Sequence, residues 1–303
     1  MSYGSVYEAM ERKGLDFEVK CAPMITASGT PCDRNKAVCM IRDNLEVEVL
    51  GVVGNRYKPL QPRQTIGWLD QLVSEVGGEV ADMGRNKSTI WARITLPFQQ
   101  VVRTRQVGDL IGKELFVFDS FDGTSRAIYE FRNIRLVCLN GMTSTVGGAR
   151  WSIPHVGNVD DKVFEVMNKI SLVQQNFETE QAEIEKWSMT TITNADAKLA
   201  YTRVLGGYDN FGSARNRRHE VLNGEAKEVR NIGQVMDGYY DAPGAEPGSV
   251  WGWVNGMTYY LTHAFGRDNE NRQVNWIGGR GKKVESETID LAKEIVRQGV
   301  MDY

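Results

Sequence analysis

The sequence has few of the residues that build metal sites. Its four cysteines form no Cys-x-x-Cys pair, and the three histidines lie far from them along the chain. A structural zinc site needs such ligands at short, regular spacing. We therefore expect neither a metal nor another cofactor, and reduced thiols in a cytoplasm are the simplest account of Cys21, Cys32, Cys39 and Cys138.

Long apolar runs are also absent. No stretch approaches the roughly 20 apolar residues that a membrane helix needs. The segment Met1 to Met10 contains Glu8 and has no apolar run of the kind that signal peptides carry. We expect a soluble protein that stays in the cytoplasm of its host cell and has no membrane partner. The hydrophobic content of 41% is enough to bury one large core or two smaller ones.

The chain has no large excess of either charge, since its formal net charge is −3. This total excludes a uniformly cationic surface, so any anion-binding site has to be local. The charge is uneven along the chain: residues 1–150 carry +2 and residues 151–303 carry −5. The window from Arg85 to Arg150 alone carries +5.

The first half of the sequence has the pattern of an antiparallel sheet with a helix packed on it. Short runs rich in β-branched and aromatic residues predict strands, and Asp122-Gly123 predicts a hairpin turn. Ser5 and Glu8 predict a capped first helix, and Asp16 to Lys20 predicts an edge strand. The later predicted strands are Leu45–Val53, Ser88–Leu96, Glu114–Asp119, Arg126–Phe131 and Ile134–Leu139, and the predicted helix is Thr65–Val76.

After His155 the hydrophobic period changes from two to about three and a half, which indicates helices. The predicted helices are Asp161–Trp187, one that Thr193 and Asp196 cap, Val250–Phe265 and Glu285–Arg297. We predict an α+β fold with a β-rich core domain over residues 1–150 and a helical domain over residues 151–303.

The loop after the first long strand combines an aromatic side chain with two cations. Tyr57 has the ring needed to stack on an exposed base, and Arg56 and Lys58 have the charge needed to hold the backbone of a single-stranded nucleic acid. The alternative is that Tyr57 packs the corner between strand and helix. The pattern leaves both interpretations open.

The sequence contains no established catalytic motif, and we predict no catalytic residues. Asp119 and Asp122 have the chemistry to hold a divalent metal for a nuclease, but Asp122 before Gly123 is more simply a turn residue. Cys138 and His155 are a candidate pair of nucleophile and base. Cys138, however, lies in an apolar predicted strand, where an inert buried thiol is the simpler interpretation. The basic cluster Arg215 to His219 is either a phosphate contact or a solvated loop.

Three sequence blocks carry a resemblance to a known family. They are Arg56-Tyr57-Lys58-Pro59-Leu60-Gln61, Phe121-Asp122-Gly123-Thr124-Ser125 and Arg135-Leu136-Val137-Cys138-Leu139-Asn140. In order and spacing they resemble the phage/plasmid-like proteins grouped as domain of unknown function 932. The resemblance implies a phage, prophage or plasmid setting but no particular reaction. The chain departs from the family at Phe121, where relatives often have histidine.

The predicted fold also resembles that of the phage single-strand annealing recombinases, the Red-beta, RecT and Erf class. That resemblance implies a non-enzymatic protein that binds single-stranded DNA, forms a ring or filament with itself, promotes annealing in recombination, and contacts a host single-strand-binding protein. Fold alone does not fix function. The predicted DNA-binding residues are Arg56, Tyr57, Lys58, Arg85, Lys87, Trp91, Arg93, Arg103, Arg105, Arg126, Arg132 and Arg135.

A second hypothesis comes from a different class of protein. The acidic C-terminal half places Trp251, Trp253 and Tyr259 close together in sequence. Aromatic clusters of this kind anchor protein interfaces. The alternative function is therefore that of a phage accessory protein whose helical half binds a host or defence protein.

Overall fold

The computed structural model describes residues 5–42, 46–105, 109–136, 140–143, 150–156, 170–206 and 230–298. Antiparallel sheets dominate the N-terminal half and helices dominate the C-terminal half, which confirms the predicted α+β class. In the described ranges, no helix combines the length and the apolar character needed to cross a membrane.

The first sheet has three antiparallel strands in the order β1-β2-β3. One face of this sheet packs into the core through Val19, Val38 and Met40, whereas Val47 and Val49 of the edge strand β3 are exposed. The strand was predicted, but its alternation of valine and glutamate would place Val47 and Val49 on the buried face. The strands are β1 (Glu18–Ile25), β2 (Pro31–Ile41) and β3 (Val47–Gly54).

The second sheet has six strands in the order β4-β5-β6-β7-β8, and β9 also pairs with β7. Strand β7 is buried along its whole length and β6 along almost all of it, so both act as core strands although they carry several charged residues. The strands are β4 (Glu79–Asn86), β5 (Thr89–Val102), β6 (Asp109–Ser120), β7 (Ala127–Arg135), β8 (Asn140–Thr143) and β9 (Arg150–Ile153).

Two helices cover the apolar side of this N-terminal core. Helix α1 (Val6–Arg12) begins at Ser5, whose side chain accepts a hydrogen bond from the backbone N–H of Glu8, which confirms the predicted cap. Helix α2 (Leu69–Val76) follows a π-helical turn over Arg63–Gly67 and ends at Gly77, where φ is 75°. Glycine ends a helix well because it adopts this left-handed conformation without strain.

The C-terminal helices surround one central apolar helix. Helix α6 has nearly all its residues buried and packs against α5 and α8. Ser249 caps α6, a cap that was not predicted. At the start of α4 the backbone N–H of Asp196 donates to the side chain of Thr193, which confirms the predicted cap. The helices are α3 (Ile170–Met189), α4 (Asn194–Gly206), α5 (Arg230–Asp241), α6 (Val250–His263), α7 (Asn269–Gly278) and α8 (Arg280–Gln298).

Contacts divide the chain into two compact units whose segments alternate along the sequence. Unit 1 comprises Met1–Phe98, Lys113–Arg132 and Gly147–Gln175, and unit 2 comprises Gln99–Gly112, Asn133–Val146 and Asn176–Tyr303. This alternation differs from the single boundary near residue 150 that the change in periodicity predicts. A change of period marks where strands give way to helices, and it carries no information on which segments pack together.

Several elements differ from the prediction, and strands β4, β8 and β9 and helices α5 and α7 were not predicted. Strand β2 was not predicted, because the polar run from Cys32 to Lys36 interrupts its apolar pattern. The predicted strands Arg126–Phe131 and Ile134–Leu139 share one continuous strand, β7, up to Arg135. The break expected at Asn133 does not occur, since that residue is buried within the strand. Residues 137–139 lie outside the described part of the chain.

Candidate functional site

A groove opens in unit 1 between strand β2 and the turn that follows strand β3. Residues 33–35 of β2 have no partner on β1, so they form a bulge in the sheet. Bulges change the direction of side chains and are frequent beside binding sites. The groove has a volume of about 630 Å³, and Asp33 and Arg34 of the bulge line it.

The opposite wall of the groove is the turn Gly54 to Tyr57, and Val156 after strand β9 completes the lining. The side-chain amide of Asn55 donates a hydrogen bond to the carbonyl oxygen of Asp33. Asn35 lies opposite Gly54 in the β2–β3 ladder. These contacts fix the bulge and the turn to one another, so the groove is built by backbone as well as by side chains.

Tyr57 anchors the turn from beneath. Its ring stacks on the imidazole of His155, with centroids 4.8 Å apart and planes inclined by 24°. Its hydroxyl lies 3.4 Å from the carbonyl oxygen of Ser120, to which it donates. Burial, reinforced by the negative charge of Asp119, raises the pKa of Tyr57 well above its usual value. Tyr57 is only 9% exposed, so the corner-packing alternative describes it and the ring is not accessible to a base.

His155 belongs to a buried polar cluster under the groove. Its Nε2 lies 2.9 Å from Oδ1 of Asp119, within ion-pairing distance although the angle is not that of a well-directed hydrogen bond. Thr65 donates its hydroxyl to the other carboxylate oxygen of Asp119 at 2.8 Å. The carbonyl oxygen of His155 accepts from the backbone N–H of Lys58 at 2.7 Å. His155 therefore holds the 55–58 turn by both its ring and its backbone.

Asp122 organises the neighbouring hairpin turn. Its carboxylate accepts hydrogen bonds from the hydroxyls of Ser88, Ser120 and Thr124 and from the backbone N–H of Thr124. Burial works against ionisation, but the hydrogen bonds from Thr124, Ser88 and Ser120 outweigh it and lower the pKa of Asp122. Asp122 is thus the predicted turn residue, and its carboxylate is already occupied by protein donors.

These contacts bring further cations to the same end of unit 1. Lys87 precedes Ser88, whose carbonyl accepts from the N–H of Phe121 on the hairpin turn. Arg126 precedes Ala127, which lies opposite Ile153 at the end of β9. Within the described residues, no ion pair involves any of the cations of this end, which we call the basic end: Arg34, Arg56, Lys58, Lys87 and Arg126.

Four arginines predicted to bind phosphate are instead paired with carboxylates inside the sheets. Arg85 lies 3.2 Å from Glu48, Arg93 lies 2.8 Å from Glu114, Arg132 lies 3.0 Å from Glu130, and Arg135 lies 2.6 Å from Asp109. Arg132 is completely buried and Arg135 is 4% exposed. A strand contributes alternate residues to opposite faces, so a count of arginines along a sequence overestimates the cationic surface.

Trp91 was predicted as a stacking surface, but its side chain is 1% exposed. Its ring packs over Gly84, where a Cβ atom would approach the ring to 2.8 Å. It also lies beside Phe116, with ring centroids 6.5 Å apart. Trp91 is a core residue in this structure. A large aromatic ring stabilises the fold more when it is buried than when it is exposed.

Arg103 and Arg105 belong to unit 2, and the basic end belongs to unit 1. The guanidinium of Arg105 donates to the carbonyl oxygens of Gly248 and Met189 and to the hydroxyl of Thr191. Arg103 is exposed, and its backbone N–H donates to Glu185. Of the predicted residues, the structure therefore brings together Arg56, Tyr57, Lys58, Lys87 and Arg126.

Two of the three aromatic residues of the predicted docking patch are internal, and the third, Tyr259, is half-buried. Trp251 is 1% exposed and Trp253 is fully buried, so neither ring is available to a partner protein. The indole N–H of Trp251 donates to Asp109 at 2.8 Å. Cys138 and the basic cluster Arg215 to His219 lie outside the described residues.

Sequence reasoning missed Asp33, Arg34 and the use of His155 with Asp119. Asp33 and Arg34 escaped because their strand was not recognised. His155 and Asp119 are 36 positions apart in sequence and meet only through the β7–β9 pairing and the packing of the 55–58 turn. The sequence offered two separate signals: His155 is one of three histidines in the chain, and Asp119 is a charged residue directly after the apolar run of a predicted strand.

Comparison with known proteins gives one match. Residues 49–292 match the model of a family described as "Domain of unknown function (DUF932)". This range includes the 55–58 turn, the hairpin turn of Asp122 and His155, whereas the bulge with Asp33 and Arg34 precedes it. No curated protein and no solved structure matches the chain.

Proposed function

The chain belongs to this family of unknown function, and we propose that it binds single-stranded nucleic acid, DNA in the first instance, through the basic end of unit 1. The observation that supports the proposal is the set of exposed cations around the groove, none of which makes an ion pair within the described residues. A cation that already neutralises a carboxylate gains little from a phosphate, so these unpaired cations are the ones suited to a polyanion.

The groove is large enough to hold part of a ligand. Its volume of about 630 Å³ lies within the usual range for small-molecule pockets. Arg34 and Arg56 line it together with the apolar residue Val156. Guanidinium planes stack on bases as aromatic rings do. In our proposal they replace Tyr57 and Trp91 as the stacking surfaces.

Lys58, Lys87 and Arg126 extend the positive surface beyond the groove. Each is exposed, and Lys58 is held in place through the backbone hydrogen bond to His155. Cations spaced along a surface neutralise successive phosphates of a flexible strand, whereas a rigid duplex requires a matched groove. This distribution favours a single strand over a duplex.

The proposal includes the self-assembly and the strand annealing that the resemblance to phage recombinases implies. An oligomer would align several basic ends along one strand and leave bases available for pairing. Particle images with and without single-stranded DNA and an annealing assay with complementary labelled strands test this part. A monomer that binds DNA without promoting annealing would contradict it and leave the binding proposal intact.

The binding experiment measures fluorescence anisotropy of labelled oligonucleotides of about 16 nucleotides, with salt varied from about 50 to 200 mM. A site that neutralises about four phosphates gives a slope of log K against log salt near −3, because each phosphate on a single strand contributes about 0.7. The double variant Arg34→Ala/Arg56→Ala should weaken binding at least 10-fold and make the slope shallower.

The matched control is Arg297→Ala, which removes an exposed cation of helix α8 in unit 2. We expect this variant to bind as the wild type does. Absence of binding at micromolar protein, or binding that ignores salt, would overturn the proposed function. Equal losses in the groove variant and the control would indicate a diffuse effect of net charge instead of a site.

A further inference from the structure

Asp33 is the carboxylate of the groove, and its position is unexpected for a site that holds only phosphates. Within the described residues that line the groove, it is the single acidic side chain, and it shares the lining with Arg34 and Arg56. No ion pair joins its carboxylate to either guanidinium or to any other described cation. A free carboxylate repels a phosphate, so it weakens backbone binding unless it contacts another part of the ligand.

The fold fixes the backbone of Asp33. Asp33 is the first residue of the β2 bulge, and the side chain of Asn55 donates to its carbonyl oxygen. The backbone of Asp33 is therefore tied to the turn that carries Arg56. A side chain on a fixed backbone has less conformational freedom to lose on binding, so Asp33 is suited to select a ligand in the groove that Arg34 and Arg56 also line.

An ionised carboxylate only accepts hydrogen bonds, so it selects ligand atoms that donate. Among unpaired bases, guanine presents two adjacent donors on its Watson–Crick edge, the N1–H and the N2 amino group, which match the two oxygens of a carboxylate. Thymine presents a single N3–H between two carbonyl oxygens, which the carboxylate repels. Single-stranded bases expose these edges because no complementary strand covers them.

We propose that Asp33 is a specificity-determining residue that makes the groove prefer guanine over thymine in a single strand, while Arg34 and Arg56 stack on the bases and the other cations of the basic end hold the phosphates. This inference rests on the proposed function and adds a base preference to it. A good bidentate contact to a base gives discrimination of about 5- to 100-fold. We expect a preference within this range at a single guanine position.

The experiment compares three labelled oligonucleotides of equal length: one of thymine only, one with isolated guanines in the same thymine background, and one with inosine at the guanine positions. Isolated guanines avoid four-stranded structures. Inosine keeps the N1–H of guanine and lacks the N2 amino group. The wild type should bind the guanine oligonucleotide most tightly, inosine with intermediate affinity and thymine most weakly.

The variant Asp33→Asn should lose the preference and bind the thymine oligonucleotide more tightly than the wild type does, because a repulsive charge has been removed. The control Asp290→Asn removes an exposed acidic charge from helix α8 and should keep the preference. Thermal unfolding of each variant checks that the fold is intact.

The outcomes separate the two proposals. Equal, salt-dependent binding of all three oligonucleotides by the wild type would overturn the inference and leave the proposed function standing. A guanine preference that survives in Asp33→Asn would assign the discrimination to another residue and also overturn it. Binding of none of the oligonucleotides would refute the proposed function, and the inference with it.

Discussion

The imidazole of His155 stacks on the phenol ring of Tyr57 at a centroid distance of 4.8 Å and, through its Nε2, faces the fully buried carboxylate of Asp119. One side chain thus connects the sheet interior to the turn that carries Arg56 and Lys58. The carbonyl oxygen of His155 adds a hydrogen bond to the backbone of Lys58. The basic end therefore depends on a buried polar cluster that does not touch solvent.

Replacing His155 with alanine should destabilise the protein strongly. The variant removes the ring that stacks on Tyr57 and the polar neighbour of the buried Asp119 carboxylate, and leaving a buried polar group without its partner costs about 1–3 kcal/mol. Urea unfolding at neutral pH measures the free energy of unfolding. His263→Ala, at an exposed position, is the control and should change it by less than about 1 kcal/mol. Similar losses in the two variants would contradict the role of the buried cluster.

Replacing Asp122 with asparagine should make the free energy of unfolding less dependent on pH in the acid range. The folded protein lowers the pKa of Asp122 below its ordinary value of 3.8, so this carboxylate contributes stability above that pH, and the contribution is lost as the pH falls through the lowered pKa. The difference in unfolding free energy between wild type and variant should therefore be larger at neutral pH than at about pH 3. Urea unfolding at both pH values measures it.

The control for that experiment is Asp290→Asn, which removes an exposed carboxylate of helix α8. We expect it to have little effect at either pH. If the difference between wild type and Asp122→Asn stayed constant across the pH range, the hydrogen bonds from Ser88, Ser120 and Thr124 would not favour the ionised form in solution.

Two glutamates allow the effect of burial on the strength of an ion pair to be compared. Each of them lies between two arginines at similar distances. Glu130 is fully buried and lies 3.0 Å from Arg132 and 3.1 Å from Arg150. Glu48 is 43% exposed and lies 3.2 Å from Arg85 and 3.5 Å from Arg42. Glu130→Gln should cost about 3 kcal/mol, since it leaves Arg132 charged in the interior. Glu48→Gln should cost less than about 1 kcal/mol.

Denaturant titration of both variants measures the two losses of unfolding free energy. Solvent screens the exposed bridge and competes for its hydrogen bonds, whereas bulk water does not reach the buried bridge. A cost for Glu48→Gln equal to that for Glu130→Gln would show that burial is not what distinguishes the two bridges.

Local patterns in the sequence predicted the elements whose residues interact with near neighbours. The cap at Ser5, the turn at Asp122-Gly123 and the helix from Val250 depend on residues within a few positions of one another, and the structure contains all of them. These features follow from local hydrogen bonds and from the spacing of apolar residues, both of which a short stretch of sequence already shows.

The candidate site was predictable only in part, because its geometry depends on distant segments. The sequence indicated Arg56 and Lys58, which lie on one turn. It did not show that Arg93 would meet Glu114 across the sheet, and opposite charges on adjacent strands pair in ways that a linear charge count cannot reveal. It also missed Asp33, because a bulge is a property of the pairing between strands.

Two helical glycines should respond in opposite directions to a single methyl group. In helix α6 a Cβ on Gly252 would collide with the carbonyl oxygen of Glu246, whereas in helix α5 a Cβ on Gly233 would meet nothing within 4 Å. Gly252→Ala should therefore destabilise the protein by about 1–3 kcal/mol, because the chain before α6 has to shift. Gly233→Ala should stabilise it by about 0.5–1 kcal/mol, since alanine loses less backbone entropy in a helix. Thermal and urea unfolding measure both changes, and a stabilising Gly252→Ala would show that the 246–252 segment does not hold this close packing in solution.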